Sequence, residues 1–409
     1  MRAFTRASHH AGFWAVAYAY MVVMAFSAVP SPLYGLYEAR DGFTTFTITV
    51  IFAVYAVGVV GSLFLVGHIS DWHGRRRVLV PAIALNLVSA VIFLTWPQLP
   101  GLLVARLING LAVGAVTATA TAYLAELDAR QRPHASSRRS ELVATAANLG
   151  GIGFGPLVAG LLSQYVAHPL TVPYVVLLVA LGIAVVAVML TPETADIPRP
   201  RPRYRPQRVS VPAQARGQFF AAALGTLISF AANGLFTGLA GTFLAGSLHQ
   251  PSRALAGASI FLVFASGVVA QAVAWSWSVR RLLAWGMPAV FGGAALLTLA
   301  AWLPSPSLAL FVAGGTVMGA GTGALFKGTL GTVVAIATDD SRAEALAGLF
   351  LAAYIGLSMP VIGIGLALQY VSARVALLGF AVVIGLGIVA AAPTLLGSRS
   401  TPGAVPHSV

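Results

Sequence analysis

Lys327 is the only lysine among 409 residues, and it falls inside a long apolar run, residues 308–336. Arg106 falls inside another, residues 99–124. A charged side chain at the centre of hydrocarbon costs about 2.5–3.5 kcal/mol on insertion scales, so each cation needs a partner or a wet cavity and is a functional candidate. Tyr20, Phe26, Asn148, Asn233 and Gln271 also lie in apolar runs; the amides suit hydrogen bonds to a substrate, and Tyr20 and Phe26 suit apolar contact. Together with Arg106 and Lys327 these five are the expected cavity residues. Tyr18, Tyr55, Asn86 and Tyr354 are further polar side chains in such runs.

The acids are distributed differently. All eleven carboxylates lie in loops or near the ends of runs, so a buried acid able to carry a proton is missing, and Glu38, Asp41 and Asp71 are the nearest substitutes. The cysteine count is zero, which removes disulfides, thiolate catalysis and cysteine metal sites. The histidines are scattered, intramembrane acids are not paired, and there is no Walker phosphate loop. We therefore expect no enzyme activity, no metal and no cofactor.

These residues must be positioned by membrane-spanning elements. At 58% hydrophobic and 9% charged, the chain departs far from the roughly 25% charge of soluble domains. Twelve apolar runs are long enough to span: 13–36, 45–68, 78–96, 99–124, 142–166 and 172–190, then 219–244, 255–277, 282–303, 308–336, 343–370 and 375–396. Lipid offers backbone groups no partner, and continuous rather than alternating apolar runs mean helices, not a barrel. The first run is too long for a signal-peptide core and is not followed by a cleavage site before Pro30 and Pro32.

Net charge is +13, and sorting it by side explains it. With twelve spans, only Arg40, Arg253 and Arg374 fall on one side and Arg106 and Lys327 within spans; the rest of the 24 basic residues share the other side. The positive-inside rule then places both termini in the cytoplasm. Residues 193–217 form a basic, Pro- and Arg-rich cytoplasmic linker between bundles at 1–192 and 218–409. Its prolines favour an extended spacer and its arginines can lie on anionic headgroups; with no folded platform or aromatic interleaving, nucleic-acid binding is not expected.

The two halves repeat. Gly160-Leu-Leu-Ser-Gln-Tyr-Val166 in the fifth run matches Gly365-Leu-Ala-Leu-Gln-Tyr-Val371 in the eleventh, and Leu102-Leu-Val-Ala105 in the fourth matches Leu310-Phe-Val-Ala313 in the tenth. Such parallel repeats enclose a substrate site in transporters.

Between the second and third runs the chain reads Gly67-His-Ile-Ser-Asp71-Trp-His-Gly74-Arg75-Arg76-Arg77. This resembles the cytoplasmic signature of the major facilitator superfamily. Arg106-Leu-Ile-Asn-Gly110 resembles that family's pattern in the fourth span, and Gly151-Ile-Gly153-Phe-Gly155-Pro156-Leu-Val-Ala-Gly160 its antiporter motif in the fifth, although Ala159 replaces one glycine and Leu142 stands in place of another. Pro30-Ser-Pro32 is similar to a proline pair of its drug:proton antiporters.

The resemblance implies an all-α membrane protein of twelve helices in two six-helix pseudo-repeats. It implies a cytoplasmic gate of Gly67, Asp71, Gly74, Arg75 and Arg77, with Glu126 completing the charge network, and a bend at Gly151, Gly155, Pro156 and Gly160. The implied activity is efflux, of the drug-resistance kind, of a small, largely hydrophobic compound by proton antiport. Uptake or facilitated diffusion of a metabolite on the same fold is the alternative. The expected setting is the plasma membrane of a bacterium, with the protein monomeric in the bilayer and a small molecule and protons as its partners.

Overall fold

The computed structural model describes residues 8–66, 69–195, 206–338 and 341–397. They form twelve helices long and apolar enough to cross a membrane, and no strand occurs among the described residues. In the first half these are α1 His9–Asp41, α2 Thr45–Val66, α3 Arg75–Thr95, α4 Leu99–Gln131, α5 Arg138–Tyr165 and α6 Val172–Met189. In the second they are α7 Ala213–Gly246, α8 Arg253–Val273, α9 Val279–Trp302, α10 Leu308–Ile336, α11 Arg342–Ala367 and α12 Ala373–Gly397. Because each helix crosses once, the linker end of the bundle holds His9, Gln131, Arg216, Ile336 and Gly397, and the far end holds Asp41, Leu99, Gly246 and Leu308.

All twelve predicted runs are helical, and the differences lie at their ends. Helix α4 continues seven residues beyond the predicted Leu124, through Glu126, Asp128 and Arg130. Apolarity marks where lipid stops, whereas the hydrogen-bonded ladder runs on into water or headgroups. Serines set several starts: Ser8, Ser252, Ser278 and Ser307 each accept a first-turn backbone N–H on their side-chain oxygen at 3.2–3.3 Å. Helix α7 opens on a 3₁₀ turn, Ala213–Ala215, and two helices depart from the regular α form further along. Helix α1 passes through a 3₁₀ turn, Ser31–Leu33, at its proline pair, and α5 contains a π turn, Ala146–Gly150, ahead of Pro156.

Without a hydrophobic force between helices in lipid, close backbone approach has to hold the bundle, and small residues permit it. A Cβ on Gly110 of α4 would lie 2.1 Å from the Tyr55 carbonyl of α2, and one on Gly293 of α9 2.6 Å from the Met318 amide of α10. The same device joins the halves at the far end. A Cβ on Gly160 of α5 would meet the Arg253 carbonyl of α8 at 2.5 Å, and one on Gly365 of α11 would meet Thr49 Oγ1 of α2 at 2.6 Å. The pairs α2 with α11 and α8 with α5 exchange when each helix is shifted by six, which is the pseudo-two-fold relation that the repeat predicts. Tyr165 and Tyr370, equivalent in the repeat, are both exposed at the far end, the first at the end of α5 and the second in the turn after α11.

At the linker end the halves stand apart more. The Arg138 guanidinium lies 5.8 Å from the ring of Trp275, and Gln207 reaches both halves, its N–H donating to the Phe64 carbonyl and its Nε2 to that of Ala343, each at 2.9 Å.

Candidate functional site

Between the halves lies a cavity of about 460 Å³, within the size range of small-molecule sites. It runs from Ser31 and Arg106, beneath the sealed far end, to Glu141 and Leu330 at the linker end, where Glu141 is exposed. Helical periodicity decides which residues reach it. On α1 the lining residues Tyr20, Met24, Ser27 and Ser31 recur at helical spacing; on α7 Phe230, Asn233 and Thr237 do so, and on α11 Phe350, Tyr354 and Leu357.

Six of the seven expected cavity residues line this space: Tyr20, Arg106, Asn148, Asn233, Gln271 and Lys327. Phe26 does not. Two residues beyond Met24, it is rotated by about 200° to the opposite face of α1, where it packs edge-on against Phe93 and Tyr174.

Tyr20 and Asn148 are joined across α1 and α5, the amide Nδ2 donating to the phenol oxygen at 2.7 Å. Asn148 belongs to the π turn, and such turns recur at functional sites. Asn233 accepts the Thr322 hydroxyl at 3.2 Å. Arg106 is 2% exposed. Its NH1 donates to the Ser27 carbonyl at 2.7 Å and its NH2 to that of Phe52 at 3.4 Å, while the guanidinium lies 4.5 Å from the Tyr55 ring. Lys327 donates to the backbone carbonyl of Gln271 at 3.2 Å and lies 4.8 Å from the ring of Trp275.

Sequence reasoning missed Glu141, Trp275 and the aromatic wall Phe230, Phe326 and Phe350. Spacing could have found the wall, since Phe350 stands one turn from Tyr354. Trp275 resembles any tryptophan at a membrane interface, so nothing local distinguished it.

The predicted gate residues assemble around Arg75. Its guanidinium pairs with Asp71 and donates to the Ser70 hydroxyl at 2.7 Å and to Glu126 Oε1 at 2.7 and 3.0 Å. Gly74, at φ 101°, makes the turn into α3 and leaves room for Glu193, whose carboxylate a Cβ there would meet at 2.6 Å. Glu193 accepts the Arg75 and Arg76 backbone N–H groups at 2.8 and 3.1 Å, capping α3. The sequence placed Glu193 at the start of the linker, with no signal that it turns back. Arg77 is exposed, and Gly67 lies outside the described residues.

In α5, Gly151 and Gly155 face α1, where added Cβ atoms would meet the Met21 and Ala25 carbonyls at 2.6 and 1.9 Å. Gly160 faces α8, and Pro156 sits within the helix. The proton-carrier candidates lie off the cavity. Asp71 pairs with Arg75 at the linker end, Asp41 pairs with Arg40 at 2.6 Å, and Glu38 stands near the far end of α1 with one carboxylate oxygen buried and unpartnered among the described residues. Those residues also hold no cluster of three metal-ligating side chains.

The family model described as Major Facilitator Superfamily matches residues 16–309. The search of curated proteins found no match to the chain. Among solved structures, a crystal structure of the nucleoside transporter NupG, a single-site mutant, superposes with a TM-score of 0.71 at 14% identity, covering 93% of this chain and 99% of that one.

Proposed function

Because the chain belongs to the major facilitator superfamily, we propose that the cavity carries a small, largely apolar compound across the membrane by alternating access, as a secondary active transporter in the direction of export. The observation that supports alternating access is the asymmetry of the cavity. It is sealed at the far end by Gly365 of α11 against the Thr49 side chain of α2 and by the backbone approach of α5 to α8, and open toward the linker end. Arginine sidedness makes the linker end cytoplasmic, so the cavity faces inward. Breaking the far-end seams while the halves close over Arg138 and Trp275 would face it outward.

Export with protons as the counter-ion is supported by the glycine seam of α5, which resembles the antiporter motif, and by the apolar walls. Of the three candidate carriers we assign Glu38, whose unpartnered oxygen is held out of water. Uptake or facilitated diffusion is the second reading. It is favoured by the lack of any carboxylate deep in the cavity and fits the fold shared with a nucleoside transporter.

Proteoliposomes with an imposed pH gradient separate the two. Antiport predicts substrate flux against the proton flux, with Glu38→Gln losing gradient dependence while retaining counterflow. Equal flux with and without the gradient in the unmodified protein would establish facilitation and remove the coupling.

A further inference from the structure

We propose that the cavity is selective for amphipathic organic monoanions, with Lys327 as the partner of the anionic group. The proposal names the substrate class of the transport site above and rests on that reading.

Three formally charged residues line the cavity, Arg106, Lys327 and Glu141, so its lining carries one net positive charge. Neither cation has a carboxylate within 4.0 Å among the described residues, whose ion pairs all lie elsewhere. Glu141 stands at the open rim, engaged by the Ser137 hydroxyl at 2.5 Å. Backbone carbonyls and aromatic faces stabilise a buried cation without cancelling its charge. Arg106 is held this way at the closed end, with the Asn109 amide oxygen accepting at 3.5 Å, and its Nε is buried with no hydrogen-bond partner among the described residues. It supplies a fixed positive field at the closed end of the cavity.

Lys327 is the freer of the two. An ammonium has three donors, and the Gln271 carbonyl takes one, leaving two for a ligand. The ring of Trp275 steadies the ammonium at 4.8 Å without using a donor. Beside it, Phe326 stacks edge-on with Phe230 at 5.3 Å, and Phe230 packs against Tyr354 at 6.0 Å, giving an aromatic or branched apolar body a surface within reach of the charge. A cationic ligand would meet a net like charge, and a dianion would leave one charge unmatched against a net lining charge of one.

The test uses the full chain, purified and reconstituted. A panel of arylacetates and branched alkanoates is compared with the corresponding primary amides and amines, by thermal stabilisation of the protein and by counterflow in proteoliposomes. The carboxylates are expected to be bound and carried, the amides to bind at least about tenfold more weakly, as for loss of one charge-assisted hydrogen bond, and the amines not to be carried. Lys327→Gln should lower carboxylate affinity at least about tenfold and bring the carboxylate-to-amide ratio toward one, with an unliganded melting temperature close to wild type reporting that the variant is folded. Lys327→Arg should restore the preference.

Preference for amines or amides, or a carboxylate-to-amide ratio unchanged in Lys327→Gln, would overturn the charge selectivity and leave the transport reading standing. Carriage of none of the three series would overturn the transport reading itself.

Discussion

Glu193 shows what a single residue does that its sequence position conceals. Its carboxylate closes the first turn of α3 through two backbone N–H groups, in contact with Gly74, the residue that allows the turn. Carboxylates at helix N-termini contribute about 0.3–2 kcal/mol through dipole and hydrogen bonds. Glu193→Gln keeps one acceptor oxygen and removes the charge. It should lower the melting temperature of the purified protein, and Gly74→Ala should lower it further, because it adds a Cβ against Glu193 at a positive φ. Equal melting temperatures for wild type and both variants would show that the cap contributes nothing to stability. The motif made Asp71, Arg75 and Glu126 legible as a charge cluster, and the structure brings their side chains together; Glu193 was not legible, because only the return of the chain after α6 brings it to α3.

Among the elements, α5 has the most demanding geometry. Its glycines seat it against α1 on one side and α8 on the other, and its π turn presents Asn148 to Tyr20. Gly155→Ala would put a methyl 1.9 Å from the Ala25 carbonyl, a distance that only separation of the two helices can relieve. Overpacking of this kind typically costs about 1–3 kcal/mol. The variant should therefore be less thermostable and transport more slowly, whereas Gly182→Ala, with nothing within 4 Å, should behave as wild type in both assays. The twelve runs were readable because a helix is the only way for a single apolar segment to satisfy its backbone in lipid. The π turn and the 3₁₀ turn at the proline pair were not, since hydropathy does not record hydrogen-bond register.

For the whole molecule, the defining feature is closure at the far end and separation at the linker end. The native chain contains no cysteine, so engineered pairs can report this without a prior background change. A Cβ at position 365 would lie 3.1 Å from Thr49 Cβ, near the 3.5–4.5 Å that a disulfide requires. Thr49→Cys with Gly365→Cys should cross-link readily and block transport until reduced; free transport in the oxidised protein would show that the α2–α11 seam does not open during turnover. Single cysteines at Thr145 and Leu330, which line the cavity, should label from the linker side, and labelling from the far side alone would reverse the assigned access. By itself the sequence determined the twelve helices, the sidedness of the arginines, the repeat and the two cations in apolar runs, because bilayer solvation acts on each segment separately. Only the tertiary structure decided that Phe26 turns away while Trp275 and Phe350 turn in, that Glu193 caps α3, and which end of the cavity is sealed. Those outcomes depend on helix rotation and on contacts between halves distant in sequence, which no local pattern encodes.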